Sequence, residues 1–147
     1  MLDSVYNSKI IEFAGNIERL GEMEGADAHA RAHSKLCGST VDVYIKMSDG
    51  AVSDFSHTVK ACALGQAAAS IMARVVVGST GDELRKLRET MYAMLKEEGP
   101  SPTGKFADFE FLEPVREYKA RHASTLLTFD AVVDCINQID AEQNAAQ

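Results

Sequence analysis

The chain has 147 residues, enough for one domain that buries about two thirds of its unfolded surface without needing a disulfide or structural metal. Its 22 acidic and 15 basic residues give a net charge of -7, which argues against a phosphate-binding surface and therefore against nucleic acid as a partner. No apolar run is long enough to cross a bilayer, and the first residues carry Asp3 instead of a basic stretch, so we expect no membrane partner.

The three cysteines form an odd and sparse set, which suits a reducing compartment better than a disulfide framework. We therefore expect three free thiols in a cytoplasmic protein whose residues 1–147 make one domain. The sequence contains no glycine-rich phosphate loop, no HExxH motif and no CxxC motif.

The chain begins with a candidate helix and a loop. Residues 4–20 place apolar side chains at helical spacing, and Ser4 could cap the helix. Residues 21–38 are rich in Gly, Ala and polar side chains and predict a loop, alternatively a loop with a short edge strand.

A β-hairpin is predicted over residues 40–60. In "TVDVYIKM" apolar and polar residues alternate, "SDG" at 48–50 supplies turn residues, and "AVSDFSHTVKA" follows as a second strand.

Helical patterns dominate the rest of the chain. Residues 63–78 are rich in small helix formers and end at a glycine, and residues 79–99 carry apolar side chains at helical spacing before Gly-Pro. The most flexible segment is expected at 101–114, a last helix at 117–139 and a frayed tail after it. A hairpin followed by helices predicts an α+β fold, a small antiparallel sheet with helices packed on one face.

The three thiols differ in their position along these elements. Cys135 follows the apolar rhythm of the last helix and is expected in the core. Cys37 precedes the first strand of the hairpin and Cys62 follows the second. Because the start of one antiparallel strand lies beside the end of its partner, Cys37 and Cys62 should be neighbours.

Two neighbouring thiols are half of a site for a soft metal. Cys62 also precedes a helix, whose N-terminus stabilises a thiolate. Two cysteines without a CxxC pair are a weak signal, however, and two unrelated cysteines at element ends remain an alternative.

The segment "LCGSTVDVYIKMSDGAVSDFSHTVKACALGQAAASIMARVVVGSTGDEL" resembles the central part of the IscU/SufU/NifU-type iron-sulfur cluster scaffold proteins. That family has "CGD" before the first hairpin strand and "GC" before a helix of small residues. The later "EPVREYKARHASTLLTFDAV" resembles the family's loop, cysteine and final helix containing "DA". The organisation is similar over roughly residues 1–138, but only the surroundings of Cys37 and Cys62 are specific. The resemblance implies a SufE/NifU-like fold.

The resemblance implies a cluster site of three cysteines and an aspartate, often with a histidine, and this chain departs from it twice. Ser39 stands where the family has the aspartate, and the third cysteine is replaced by Ser124 or, with a one-residue shift, by Ala123. Cys135 lies about eleven residues further along a helix, roughly 16 Å away, too far to substitute.

His122 is the residue expected to complete the site. A neutral imidazole is a good ligand for zinc or iron, so Cys37, Cys62 and His122 could form three bonds to a metal, with water or a partner's thiolate as the fourth ligand. Arg121 could stabilise thiolate or persulfide anions there, or be a solvated helix-end arginine.

The remaining histidines are weaker candidates. His57 is expected to face solvent or to pair across the sheet. His29 and His33 lie in a loop that could approach the site.

The resemblance implies a non-enzymatic scaffold or carrier in iron-sulfur cluster assembly. Such a protein would bind iron or a labile [2Fe-2S] cluster, receive sulfur from a cysteine desulfurase and pass the cluster to acceptor proteins. A homodimer is one form that it could take. Two alternatives stay open: a zinc-binding sulfur-acceptor partner of a cysteine desulfurase, and a degenerate scaffold that serves as an interaction module.

Overall fold

The computed structural model describes residues 7–145. Its elements in chain order are helix α1 (Ser8–Ala14), strands β1 (Ala28–His33), β2 (Thr40–Ser48) and β3 (Ala51–Lys60), helices α2 (Ala63–Val75) and α3 (Gly81–Lys96), 3-10 helices at Gly104–Glu117 and Lys119–Arg121, and helix α4 (His122–Ala145). None of the helices within this part of the chain is both long and apolar enough to span a membrane.

The predicted hairpin and the α+β fold are confirmed. Strands β2 and β3 pair antiparallel from Thr40 opposite Lys60 to Ser48 opposite Ala51, with one irregularity after Lys46. The edge strand that was one alternative for residues 21–38 is present as β1, which pairs antiparallel with β2 and gives the sheet order β1-β2-β3.

One face of the sheet is packed against helices. The inward side chains of β2, Val41, Val43 and Ile45, are fully buried, as their alternation with polar residues predicts. Helix α4 crosses β1 and β2 on this face and also packs against α2 and α3, so it forms the centre of the core.

The N-terminal helix is much shorter than predicted. It ends at Ala14, and Asn7 caps it by accepting a hydrogen bond from the Ile10 amide; the predicted cap at Ser4 lies outside the described residues. After the helix the chain runs along the edge of β3. There the carbonyl of Arg19 accepts a hydrogen bond from the amide of His57, and the amide of Gly21 donates one to the carbonyl of His57. Backbone pairing with the sheet therefore replaces the helix that the spacing of the apolar residues predicts.

The prediction of a flexible segment at 101–114 is wrong over most of its length. The 3-10 helix Gly104–Glu117 buries Phe109, Leu112 and Val115. Phe109 contacts Phe129 of α4 with ring centroids 4.9 Å apart. The segment is fixed by tertiary packing, which its local Pro, Gly and acidic residues do not indicate.

The last two helices differ from expectation mainly at their ends. Helix α3 begins with a capping box, in which Thr80 accepts from the Glu83 amide and the Glu83 carboxylate accepts from the Thr80 amide. Helix α4 begins at His122 and continues to Ala145, so the part of the tail that the structure describes is helical and not frayed.

Candidate functional site

Strand pairing brings Cys37 and Cys62 to one end of the sheet. Thr40, three residues after Cys37, lies opposite Lys60, two residues before Cys62. Cys62 is also the N-cap residue of α2, at the positive end of that helix.

Ser124, from the first turn of α4, joins the two thiols. Its Oγ atom lies 3.3 Å from Sγ of Cys62. The same hydroxyl is near enough to Cys37 to make a small contribution to lowering the pKa of that thiol. Two cysteines from the two ends of a hairpin therefore meet around one serine of the last helix.

Two further serines surround Cys37. Its Sγ lies 3.5 Å from Oγ of Ser34 and 3.0 Å from Oγ of Ser39. The thiol of Cys37 donates to Oγ of Ser34, and once ionised its sulfur can only accept. Hydrogen bonds from the hydroxyls to the thiolate lower the pKa of Cys37 to about 7, with Ser34 contributing most and Ser39 next, against the opposing effect of partial burial. A substantial fraction of this thiol is therefore ionised at neutral pH.

The loop that carries Cys37 is a closed turn. The amide of Gly38 donates to the carbonyl of Ser34 at 2.8 Å, and the amide of Ser34 donates to the carbonyl of Ser39 at 2.9 Å. Gly38 has φ +73°, a left-handed conformation that glycine adopts without strain. These bonds hold the serines against the sulfur of Cys37.

Exposure differs between the thiols and the serines. Cys37 is exposed and Cys62 is half-buried, whereas Ser39 and Ser124 are almost fully buried. Of the two positions left open for the missing third cysteine, Ser124 faces the thiols and Ala123 is exposed. The site thus presents an accessible pair of thiols above buried hydroxyls.

Cys135 lies in the core, as predicted. It is fully buried, and its thiol donates a 3.5 Å hydrogen bond to the carbonyl of Val43. Burial first, and then the charge of Asp134, raises its pKa to about 12. This thiol is therefore unreactive at neutral pH.

His122 is close to Ser124 in sequence, but its Nε2 atom is not available to bind a metal. It is buried, and its Nε2 lies 3.1 Å from the carbonyls of both Val115 and Arg116. Carbonyls only accept, so Nε2 carries the proton and donates, which leaves only Nδ1 for a metal. Across residues 7–145 no three His, Cys, Asp or Glu side chains are arranged to hold a metal ion together. The structure brings together the two predicted thiols and does not join His122 to them.

The other histidines have structural partners. His57 is fully buried, which excludes the solvent-facing alternative; its Nε2 contacts the carbonyl of Glu18 at 2.8 Å, and burial lowers its pKa. His29 and His33 lie in β1 instead of a loop. His29 pairs with Asp42 at 2.9 Å, and Nδ1 of His33 lies 3.1 Å from Oγ1 of Thr40.

Sequence reasoning missed Ser34 completely and treated Ser124 only as one of two positions where the third cysteine is replaced. Ser34 lies three residues before Cys37 and carries no motif. Ser124 was detectable through the register of the final helix, but its contact with a thiol 62 residues away required the folded chain.

The chain is similar to known proteins over most of its length. Residues 5–125 match the family model described as the NifU-like N-terminal domain. The chain is 24% identical over 135 residues to the iron-sulfur cluster assembly scaffold protein IscU of Thermotoga maritima, covering 92% of this chain and 94% of the relative.

Solved structures show the same fold. The N-terminal NifU-like protein of Brucella abortus matches with a TM-score of 0.94 and 66% identity, covering 95% of this chain and 97% of the other. The SUF-system protein FiSufU of Fervidobacterium islandicum matches with a TM-score of 0.83 at 18% identity, covering 90% and 97%. With its family model matched over most of its length and its thiols at the two ends of the hairpin, the chain belongs to the NifU-like N-terminal domain family.

Proposed function

We propose that this protein is a non-enzymatic scaffold or carrier in iron-sulfur cluster assembly that binds iron or a labile [2Fe-2S] cluster through Cys37 and Cys62. The observation that carries the proposal is the meeting of an exposed and a half-buried thiol around Ser124, with the pKa of Cys37 lowered to about 7. Thiolates are the ligands that iron-sulfur clusters use. Membership of a family whose relatives include IscU scaffold proteins supports the same function.

In this function the chain acts by ligand exchange. Ionised Cys37 reaches solvent, so it accepts an iron ion or cluster first, and Cys62 completes the pair from the N-terminus of α2. His122 would bind a metal through Nδ1. Binding through Nε2 would first require it to lose its hydrogen bonds to the carbonyls of Val115 and Arg116. The expected partners are a cysteine desulfurase as sulfur donor and acceptor proteins for the cluster, in the cytoplasm.

The second candidate function is a zinc-binding sulfur acceptor that works with a cysteine desulfurase. The favouring observation is that Cys37 is exposed and has a pKa lowered to about 7, which suits a nucleophile toward sulfur. The Cys37 thiolate would attack the terminal sulfur of the donor's persulfide; the donor S–S bond breaks, the donor leaves as a thiolate, and Cys37 becomes a persulfide.

Anaerobic reconstitution with iron, sulfide and excess low-molecular-weight thiol tests the leading function. We expect visible absorbance and bound iron and sulfide in the wild type and in Cys135→Ala, whose thiol is buried away from the site. Both should be lost in Cys37→Ala and in Cys62→Ala. Zinc binding without a cluster, together with faster desulfurase turnover, would favour the second function. A colourless protein that also binds no zinc would refute both functions. The remaining alternative would be a degenerate scaffold that serves as an interaction module.

A further inference from the structure

The thiol site lies in a basic part of an acidic protein. The segments that converge on it, residues 28–41, 55–66 and 118–129, contain no Asp or Glu, although the chain has 22 acidic residues and a net charge of -7. Acidic residues flank five of the six ends of these segments, and three of them, Asp42, Asp54 and Asp130, are paired with Arg31, Arg19 and Arg88. The same segments contain five of the basic residues, Arg31, Lys35, Lys60, Lys119 and Arg121.

Three of these cations belong to the short chain segments that carry Cys37, Cys62 and Ser124, and we call Lys35, Lys60 and Arg121 the basic rim. Lys35 belongs to the turn of Cys37, and Lys60 lies opposite Thr40 at the site end of β3. Arg121 precedes α4, and its carbonyl accepts from Oγ of Ser124 at 3.3 Å.

The basic rim is electrostatically unsatisfied. Lys35 and Lys60 are exposed and Arg121 is half-buried. None of the three forms a salt bridge with a carboxylate among residues 7–145, whereas Arg31 is paired with Asp42. Cations without a carboxylate partner attract small anions.

The protein's own ligand set is also incomplete. A [2Fe-2S] cluster takes four terminal ligands, commonly four thiolates. This chain contributes Cys37 and Cys62, while the nearby Ser39 and Ser124 are neutral hydroxyls that do not ionise at neutral pH. Within residues 7–145 no third His, Cys, Asp or Glu side chain is arranged with these thiols to hold a metal, so in this conformation two further ligands come from outside the chain.

Building on the proposed function, we propose that the basic rim recruits an anionic low-molecular-weight thiol, one that carries a carboxylate, as the external ligand of the cluster. Each thiol loses its proton to solvent, and its sulfur donates a lone pair to iron in place of a water molecule, so no electron is transferred. The carboxylate stays at the rim beside Lys35, Lys60 or Arg121.

The first test uses the apoprotein and does not depend on a cluster. Cys37 is treated with dithiodiglycolate, an anionic disulfide, or with cystamine, a cationic one, and mixed-disulfide formation is followed by mass spectrometry. In Lys60→Glu, the rate of reaction with the anionic reagent should fall about tenfold relative to the rate with the cationic reagent at low salt. This difference in rates should disappear at about 1 M salt. The control is Lys86→Glu on the exposed side of α3, which changes the net charge equally. Equal rate ratios in the two variants would overturn the proposal.

The second test reconstitutes the cluster with mercaptoacetate, mercaptoethanol or cysteamine as the only small thiol, and counts bound thiols by native mass spectrometry. We expect the highest yield and two bound thiols with mercaptoacetate, and a selective loss of that advantage in Lys60→Glu. Equal yields with all three thiols, or a thiol-free cluster bridged by two copies of the chain, would overturn the recruitment. If the protein binds neither cluster nor iron with any of the three thiols, the proposed function is refuted. The rates of mixed-disulfide formation in the apoprotein would still show whether the basic rim attracts anions.

Discussion

At the scale of single residues, the reactivity of Cys37 depends on hydroxyls. The largest contribution to its lowered pKa comes from Ser34 and the next from Ser39, with Ser124 adding a smaller one. Each hydroxyl can donate a hydrogen bond to the thiolate but adds no charge, so Cys37 can ionise without a cation in direct contact with its sulfur.

Replacing Ser34 should therefore raise the pKa of Cys37. In a Cys62→Ala background, the alkylation rate of Cys37 should rise with pH to half its maximum at about 7. Adding Ser34→Ala removes a donor to the thiolate, so the midpoint should move to higher pH and the rate at neutral pH should fall. Iodoacetamide labelling followed by mass spectrometry measures both, and an unchanged midpoint would show that Ser34 does not stabilise the thiolate.

At the scale of elements, Gly65 sets the distance between α2 and α4 beside the site. A Cβ atom at this position would lie 2.8 Å from Cβ of Ala61 and 3.0 Å from the carbonyl oxygen of Ser124. The second atom is backbone and cannot rotate away. The absence of a side chain at Gly65 therefore lets α4 approach closely enough for Ser124 to reach Cys62.

We expect Gly65→Ala to destabilise the protein and to separate the helices. Overpacking costs about 1–3 kcal/mol, and the better helix propensity of alanine returns about 1 kcal/mol, so the free energy of unfolding should fall by about 1 kcal/mol. Urea denaturation measures this. Gly15→Ala is the control, because its Cβ would have ordinary contacts of 3.4 Å or more. Equal stability of the two variants would mean that the helices adjust without cost.

At the scale of the whole molecule, α4 joins the sheet, the other helices and the site. It buries residues along most of its length, packs on β1 and β2, and is linked to α3 through Asp130, which accepts hydrogen bonds from Arg88 at 2.8 Å and from Tyr92 at 2.8 and 3.0 Å. The 3-10 helix Gly104–Glu117 adds Phe109 to this core through Phe129.

The segment expected to be flexible should therefore contribute strongly to stability. Phe109→Ala removes a fully buried ring and should lower the free energy of unfolding by about 3–5 kcal/mol. Phe106→Ala, at a partly buried ring in the same 3-10 helix, is the matched control and should cost less. Chemical denaturation of both variants checks this; similar small losses would mean that the segment is only loosely packed.

The sequence was most informative where structure is local. Alternation in β2 and the turn at 48–50 predicted the hairpin, since strand periodicity and turn residues act within a few positions. The same local reasoning overextended α1, because apolar spacing cannot show that the chain after Ala14 pairs with β3. It also missed the burial of His57, which depends on contacts with residues about 39 positions earlier.

By itself the sequence determined the α+β class and the placement of Cys37 and Cys62 at one end of the hairpin, because antiparallel pairing fixes which strand ends are neighbours. Only the tertiary structure decided that Ser124 reaches the thiols, that Nε2 of His122 faces two carbonyls, and that Phe109 is buried. These features depend on how α4 packs against distant parts of the chain, and no short-range pattern encodes such contacts.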